Sequence, residues 1–454
     1  MMNGKEKWML ACAVFLVLVM GSVFLRLGTA QILVKKLHID NIWTEIVLWD
    51  NKELRNIKPK SDIPKDEIRV DWANEYPFPD YSETTTSDNS NNKSFPMRVT
   101  KKASSVENRI RAWTSTQLMG YIDLVNYANF YNKSIGWNIP MMGGYNSVVA
   151  LDDGQLVDFK ERKDMTPMIE AVAKLNDSCH KQGCQFFVAM APGKISRKET
   201  ELAGKLDFSN QNGDAFEEGL TSHGIACLDL RDTMEAEVSD THELFYRTDH
   251  HWKASTGRWA AEIIAKYLND RLGYKIDTSL MKSEQYREVF YPSWFLGSRG
   301  KKVTLSRTTP DDFALYYPKF VTSFHYEIPS MDKNTDGDFS VMYDMKKVEP
   351  LDYYGLNPYG AYNYGDRALI KIHNNMVEDG KKILILKNSY ADSVIPFLSV
   401  GVETIHVLDL RHFTGSLQTY MKVYKPDTVI LLFQLENLKD KIDFKTHKDF
   451  WDFR

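Results

Sequence analysis

Beyond residue 165 the chain alternates between stretches with apolar side chains at helical spacing and short, largely apolar runs. Residues 165–181, 213–223 and 254–272 carry the helical spacing, while 184–190, 225–230, 383–387, 404–408 and 428–433 are the short runs, with helical stretches between the last three. Such runs are too short for helices, and apolar side chains at successive positions need cover on both faces. The pattern therefore predicts an α/β fold, a mainly parallel sheet flanked by helices. In sheets of this kind, sites form outside the carboxyl ends of the strands. Ser389 sits just past the end of the 383–387 run.

Residues 280–365 break the alternation; they are rich in Tyr, Pro and Asp and show no clear period. We read them as a long insertion that shapes one wall of a site. Ahead of the alternation, Asp153-Gly154 within 147–157 is a hairpin turn signal. Residues 82–94 hold almost no apolar side chain and follow Pro77-Phe78-Pro79, so 77–96 reads as a flexible linker. Residues 27–140 are then a membrane-proximal tether, and 141–454 one domain that contains the insertion.

The tether has something to hold it. Residues 8–25 are eighteen positions without a charge, preceded by Lys5 and Lys7 and followed by Arg26. That length spans a bilayer with little tilt, so residues 1–26 are expected to be a transmembrane anchor. The alternative is a cleaved signal peptide with Gly28-Thr29-Ala30 as its small-residue site, but the apolar core exceeds the usual ~7–15 residues. Both readings export the rest of the chain. The expectation is a single-pass protein of the cell membrane with its large domain outside.

Composition removes several classes. In 454 residues, 57 basic side chains face 61 acidic ones for a net charge of -4, which leaves no electrostatic footprint for nucleic acid. Cys12 lies in the apolar segment, leaving Cys179, Cys184 and Cys227 outside it. Three thiols imply no disulfide framework, and a zinc site at this spacing is not expected.

The chemistry concentrates in Phe245-Tyr246-Arg247-Thr248-Asp249-His250-His251-Trp252. A histidine becomes an effective general base near neutrality when a carboxylate fixes its tautomer and stabilises the imidazolium. In an extended or turn segment Asp249 and His251 can point to the same side, with His250 facing away. Ser389 supplies a nucleophile, at a helix start whose backbone N–H groups suit an oxyanion. On residues alone two other readings stay open: a metal cluster completed by Asp240 or His242, or a structural role for the histidines. Lys194 could line the site or be an exposed turn lysine; Tyr291 and Trp294 could stack on sugar rings or belong to the core.

Tyr246-Arg247-Thr248-Asp249-His250-His251-Trp252 resembles the signature of the bacterial DHHW family, and Leu386-Lys387-Asn388-Ser389-Tyr390-Ala391-Asp392-Ser393 resembles its second motif. That family is similar to the SGNH-like O-acetyltransferases of exopolysaccharide modification, including those of alginate. The resemblance implies an SGNH-like domain with Asp249, His251 and Ser389 as catalytic residues. Gly365, Asp366, Arg411, Tyr390, His250 and Trp252 are candidates for oxyanion and substrate contacts, with pairing to Asp409 or Asp366 an equal reading for Arg411. It further implies a polysaccharide acceptor, no metal or other cofactor, and a membrane-bound O-acyltransferase partner that delivers the acyl group. An acetylesterase with the same triad, and a noncatalytic exopolysaccharide assembly protein, are the alternatives.

Overall fold

The computed structural model describes residues 148–445 and 449–454. The expected membrane anchor, the tether and Cys12 lie outside these residues. Among the described residues no helix is long and apolar enough to cross a membrane.

A short hairpin, β1 (Val149–Ala150) and β2 (Leu156–Val157), precedes helix α1 (Thr166–Lys181). Gly154 takes φ +84° in the hairpin turn, where L side chains are strained. The sheet then begins with β3 (Gln185–Ala191), helix α2 (Ser209–Ser222), β4 (Cys227–Asp229) and helix α3 (Leu230–Glu237). After helix α4 (Ala254–Leu272) the chain enters the insertion: hairpin β5 (Tyr286–Phe295) and β6 (Asp311–Pro318), with the one-turn helix α5 (Ser298–Val303) between them, then β7 (Phe324–Ile328) and β8 (Lys333–Gly337). It returns through β9 (Leu369–Asn374), β10 (Lys382–Lys387), α6 (Ile395–Ser399), β11 (Thr404–Leu408), α7 (Leu417–Tyr424) and β12 (Thr428–Gln434).

The main sheet runs β4-β3-β12-β10-β11-β9-β7-β8. The first five strands are parallel, as the apolar runs predict. From β9 onward the pairings are antiparallel, so the sheet is mixed. The insertion is thus less irregular than its sequence suggests. Strand β7 alternates buried and half-buried positions over five residues, too short a stretch to stand out by period. Strand β8, Lys-Asn-Thr-Asp-Gly, is a polar edge strand, a composition that discourages further pairing.

Alternation of side chains divides the interior into two cores. Ile383, Ile385, Ile430 and Leu432 pack with Ala260, Ile264 and Leu268 of α4, whereas Leu384, Leu386, Val429 and Leu431 face Met168, Val172 and Leu175 of α1. Each fully buried aliphatic side chain contributes about 1.5–3 kcal/mol of transfer free energy. Strand β10, covered on both sides by these cores, carries the chain to Ser389.

Candidate active site

Phe245 and Trp252 form an antiparallel bridge, Tyr246 N donates to His251 O at 3.2 Å, and Lys253 N donates to Leu244 O at 2.8 Å. Of the extended and turn forms left open, residues 247–251 therefore take the turn, a bent loop closed at its neck. Within it, Asp249 Oδ1 accepts from His251 N at 3.0 Å and lies 2.5 Å from His251 Nδ1. The bend also corrects the expectation for His250, which turns toward the site. Its ring centroid lies 3.7 Å from that of His251, and its Nδ1 is 3.3 Å from Asp249 Oδ1 and 3.1 Å from Ser298 Oγ.

The loop is held from several sides. Asp311 of β6 accepts from Arg247 N at 2.9 Å, Thr248 N at 2.8 Å and Thr248 Oγ1 at 2.5 Å. Ser298 N donates to Asp249 Oδ2 at 2.5 Å, and Gly300 N donates to Thr248 O at 2.7 Å. At Gly297 a Cβ would lie 2.3 Å from Asp249 Cβ and 2.7 Å from its Cα, so the insertion approaches the acid as closely as a glycine allows. Lys194 is a buried clamp, not an exposed turn residue: its Nζ donates to Arg247 O at 3.0 Å and Leu156 O at 3.1 Å. Burial, with the Arg299 charge adding to it, pushes Lys194 down to about 7. A neutral amine still has two N–H groups, enough for both carbonyls.

Ser389 opens a single helical turn, Ser389–Ser393, capped by Asn388, whose side chain accepts from Tyr390 N at 3.2 Å. Ser389 Oγ lies 2.7 Å from His251 Nε2. Its side chain is half-buried, beside a fully buried Tyr390. Trp252 is a strut between the two motifs: its Nε1 donates to Tyr390 O and Ser393 Oγ, both at 3.0 Å. Tyr390 Oη donates in return to His250 O. Thus Trp252 and Tyr390 join the loop to the serine turn, with their polar groups used internally.

Electrostatics favour a charged acid and a neutral neighbour. Burial alone would raise the Asp249 carboxyl, but His250, His251 and the hydrogen bonds from His251 and Ser298 N hold it well below the usual carboxylate range. Burial and the adjacent His251 hold His250 well below its ordinary value, so it is an uncharged imidazole near neutrality.

The other site expectations change. Gly365 N donates to Tyr362 O at 3.0 Å within a left-handed turn, so it is committed and does not serve an oxyanion. Asp366 pairs with Lys387 Nζ at 2.7 Å and Arg411 Nη2 at 2.9 Å, and Arg411 also takes Asp409 at 2.6 Å. Arg411 thus takes the pairing left open for it, and Asp366 belongs to the same ion-pair network under the serine turn rather than to an oxyanion contact. Lys387 reaches Asp392 of that turn at 2.7 Å as well. His242 does not join the histidine pair; it lies 2.6 Å from Asp153 Oδ2 and 3.2 Å from Glu199 Oε1, and Asp240 caps its N–H. Asp249, His250 and His251 bring possible ligand atoms within 4.8 Å of one another. With Asp249 Oδ1 already 2.5 Å from His251 Nδ1, the cluster is built as a hydrogen-bonded set. Trp294 Nε1 donates to Val348 O at 2.9 Å, tying that ring into the insertion.

Two family models match overlapping parts of the chain: the SGNH hydrolase-like domain of acetyltransferase AlgX over residues 151–289, and the DHHW protein over 231–408. The chain is thus similar to both families, each over less than half of its length. The resemblance drawn from its motifs is thereby borne out. Among solved structures, Bacillus cereus PatB1 with a sulfonyl adduct aligns with a TM-score of 0.56 at 18% identity, covering 68% of this chain and 99% of that one. A DHHW family protein from Eubacterium siraeum DSM 15702 aligns with a TM-score of 0.52 at 17% identity, covering 65% and 92%. At such identities the likeness is one of fold, and the SGNH-like character of the helix-flanked α/β sheet rests on the family match. A search of curated proteins gives no match.

Sequence reasoning missed Tyr359, Ser298 and Asp311. All three lie in the insertion, and none stands in a motif. The nearest signal was the expectation that the insertion walls the site.

Proposed function

We propose that the chain is an extracytoplasmic O-acyltransferase that moves acetyl groups to hydroxyls of a cell-surface or secreted polysaccharide. The observation that carries this reading is one continuous relay: Asp249 Oδ1 2.5 Å from His251 Nδ1, and His251 Nε2 2.7 Å from Ser389 Oγ. Both distances fall near or within hydrogen-bond reach for a base and its nucleophile. The match to an acetyltransferase domain supports the acetyl group as cargo.

In this mechanism the carboxylate keeps the imidazole proton on Nδ1, leaving Nε2 to accept the serine proton. Ser389 Oγ attacks the donor's acyl carbonyl, and His251 then passes the proton to the leaving group. The acyl-serine is attacked by a sugar hydroxyl that gives its proton to His251, and Ser389 leaves and is reprotonated. One donor in the serine segment suits the oxyanion: Ser389 N–H, at the first position of its turn. An apolar N-terminal span would hold the domain at the membrane, where a membrane-bound O-acyltransferase would supply the acyl group. The half-buried serine also admits water, so an acetylesterase is the second reading.

The test uses purified full-length protein, an activated acetyl ester and candidate oligosaccharides. Wild type should form acetylated glycan faster than it releases acetate, and Ser389→Ala should lose a factor on the order of 10⁴. Acetate release unaffected by any acceptor would favour the esterase. Equal turnover by Ser389→Ala and wild type would overturn both readings.

A further inference from the structure

Tyr359 lies on the short turn Pro358–Ala361 within the insertion and is 1% exposed. Its ring stacks on the His251 imidazole, with centroids 4.0 Å apart and planes 17° from parallel. The His250 ring comes within 3.7 Å of the same imidazole. One face of an imidazole has no room for two rings at such distances, so His251 is held between them. At its other end, Tyr359 Oη lies 3.1 Å from Ser389 O, 3.3 Å from Tyr390 O and 3.1 Å from Ser393 Oγ. A single side chain thereby touches the ring of the base and the backbone of the nucleophile's turn.

This arrangement answers a geometric problem. The terminal torsion of a histidine is broad, and its Asp249 partner fixes only one edge of the ring. Ser389 approaches the other edge from a different strand, so a small rotation of the imidazole would separate Nε2 from Oγ. A stacked ring restrains that rotation. When His251 takes the serine proton, the same ring presents its negative face to the new imidazolium. The hydroxyl ties both effects to the position of Ser389.

We propose that Tyr359 is a positioning residue for the acyl transfer, holding the His251 ring in register with the serine turn and favouring its protonated form. This rests on the Ser389–His251–Asp249 reading. A bland alternative is that Tyr359 only fills the core, where its ring also meets Tyr246 edge-on. The two differ in what a ring-preserving substitution does.

The experiment measures turnover of p-nitrophenyl acetate and the rate at which phenylmethanesulfonyl fluoride labels Ser389, located by peptide mass. Tyr359→Leu should lose about 10–100-fold in kcat and in labelling rate, with KM within about twofold, because misplacement of the reacting pair costs rate rather than binding. Tyr359→Phe, which keeps the ring face, should recover most of that loss and stay a few-fold below wild type. The proposal is overturned if Tyr359→Leu labels as fast as wild type, or if Phe is as slow as Leu. Should Tyr359→Leu lose its near-ultraviolet circular dichroism, Tyr359→Phe carries the test, and a labelling rate equal to wild type counts against the hydroxyl link and the proposal. Failure of the triad reading looks different: wild-type Ser389 resists the reagent, and Ser389→Ala hydrolyses the ester at the wild-type rate.

Discussion

Asp249 is where the hydrogen bonds of the site converge. One oxygen accepts from His251 N and Nδ1, and the other from Ser298 N. Only a carboxylate can accept from all of these at once. In Asp249→Asn the amide nitrogen must turn toward one donor, either losing a bond or forcing His251 into the wrong tautomer. We expect kcat to fall by about 10⁴ with ester binding retained, as read by steady-state kinetics. The same substitution probes linkage. The folded carboxyl is held below its unfolded value of about 3.9, so its stabilisation is complete above that pH and is lost as pH falls through the folded value. Melting curves of Asp249→Asn should therefore show less acid destabilisation below about pH 4 than wild type. An equally steep acid loss in the variant would show that Asp249 is not the group responsible.

At the scale of elements, the serine turn is pressed between α4 and an ion-pair network. A Cβ at Gly257 of α4 would lie 2.5 Å from Ser393 O and 2.7 Å from Ser393 C, both backbone atoms that cannot swing aside. Gly257→Ala should cost about 1–3 kcal/mol by overpacking and slow Ser389 labelling, because helix and turn must part. A melting temperature and a labelling rate both unchanged would refute the close-packing account. Beneath the turn, Lys387 and Arg411 face Asp366, Asp392 and Asp409, two cations against three carboxyls. Burial, reinforced by Asp366 and Asp409 against the opposing pull of Lys387, pushes Asp392 up to about 8. The folded protein then keeps a proton there that the unfolded chain releases near 3.9, so stability declines as pH rises from about 4 to about 8. Asp392→Asn mimics the protonated form, and its melting temperature should fall less than that of wild type over this window. A matching decline in both proteins would place the pH dependence elsewhere. The helix at 254–272 and the strand at 383–387 were legible from spacing. Gly257 was not, since a glycine inside a helical pattern shows no partner until the serine turn is laid against it.

Across the whole molecule, the parallel half of the sheet was readable because its strands are buried on both faces and apolar at successive positions. The antiparallel half was not, because β7 and β8 are short and half their positions meet water or an edge. The same division runs through the site. Asp249, His251 and Ser389 stood out as parts of motifs, whereas sequence could not show that the Gly365 N–H is already donated to Tyr362 or that the Asp366 carboxylate is already held by Lys387 and Arg411. Tyr359, Ser298 and Asp311 gave no signal, since their importance lies in what a distant segment needs. Asp311 makes this dependence testable. It stands at the start of β6, yet its carboxylate serves only the loop of Asp249, accepting two N–H groups and a hydroxyl there. Asp311→Ala would leave these donors unpaired at about 1–3 kcal/mol for each buried group, a sum moderated by water reaching the half-buried position. Hairpin β5–β6 would keep its own strand pairing, because none of its ladder bonds uses that side chain. We therefore expect a melting temperature lower by several degrees and a greatly slowed labelling of Ser389, with far-ultraviolet circular dichroism unchanged. If labelling instead persists at the wild-type rate, the loop holds its geometry without the insertion. The insertion would then wall the site without helping to build it.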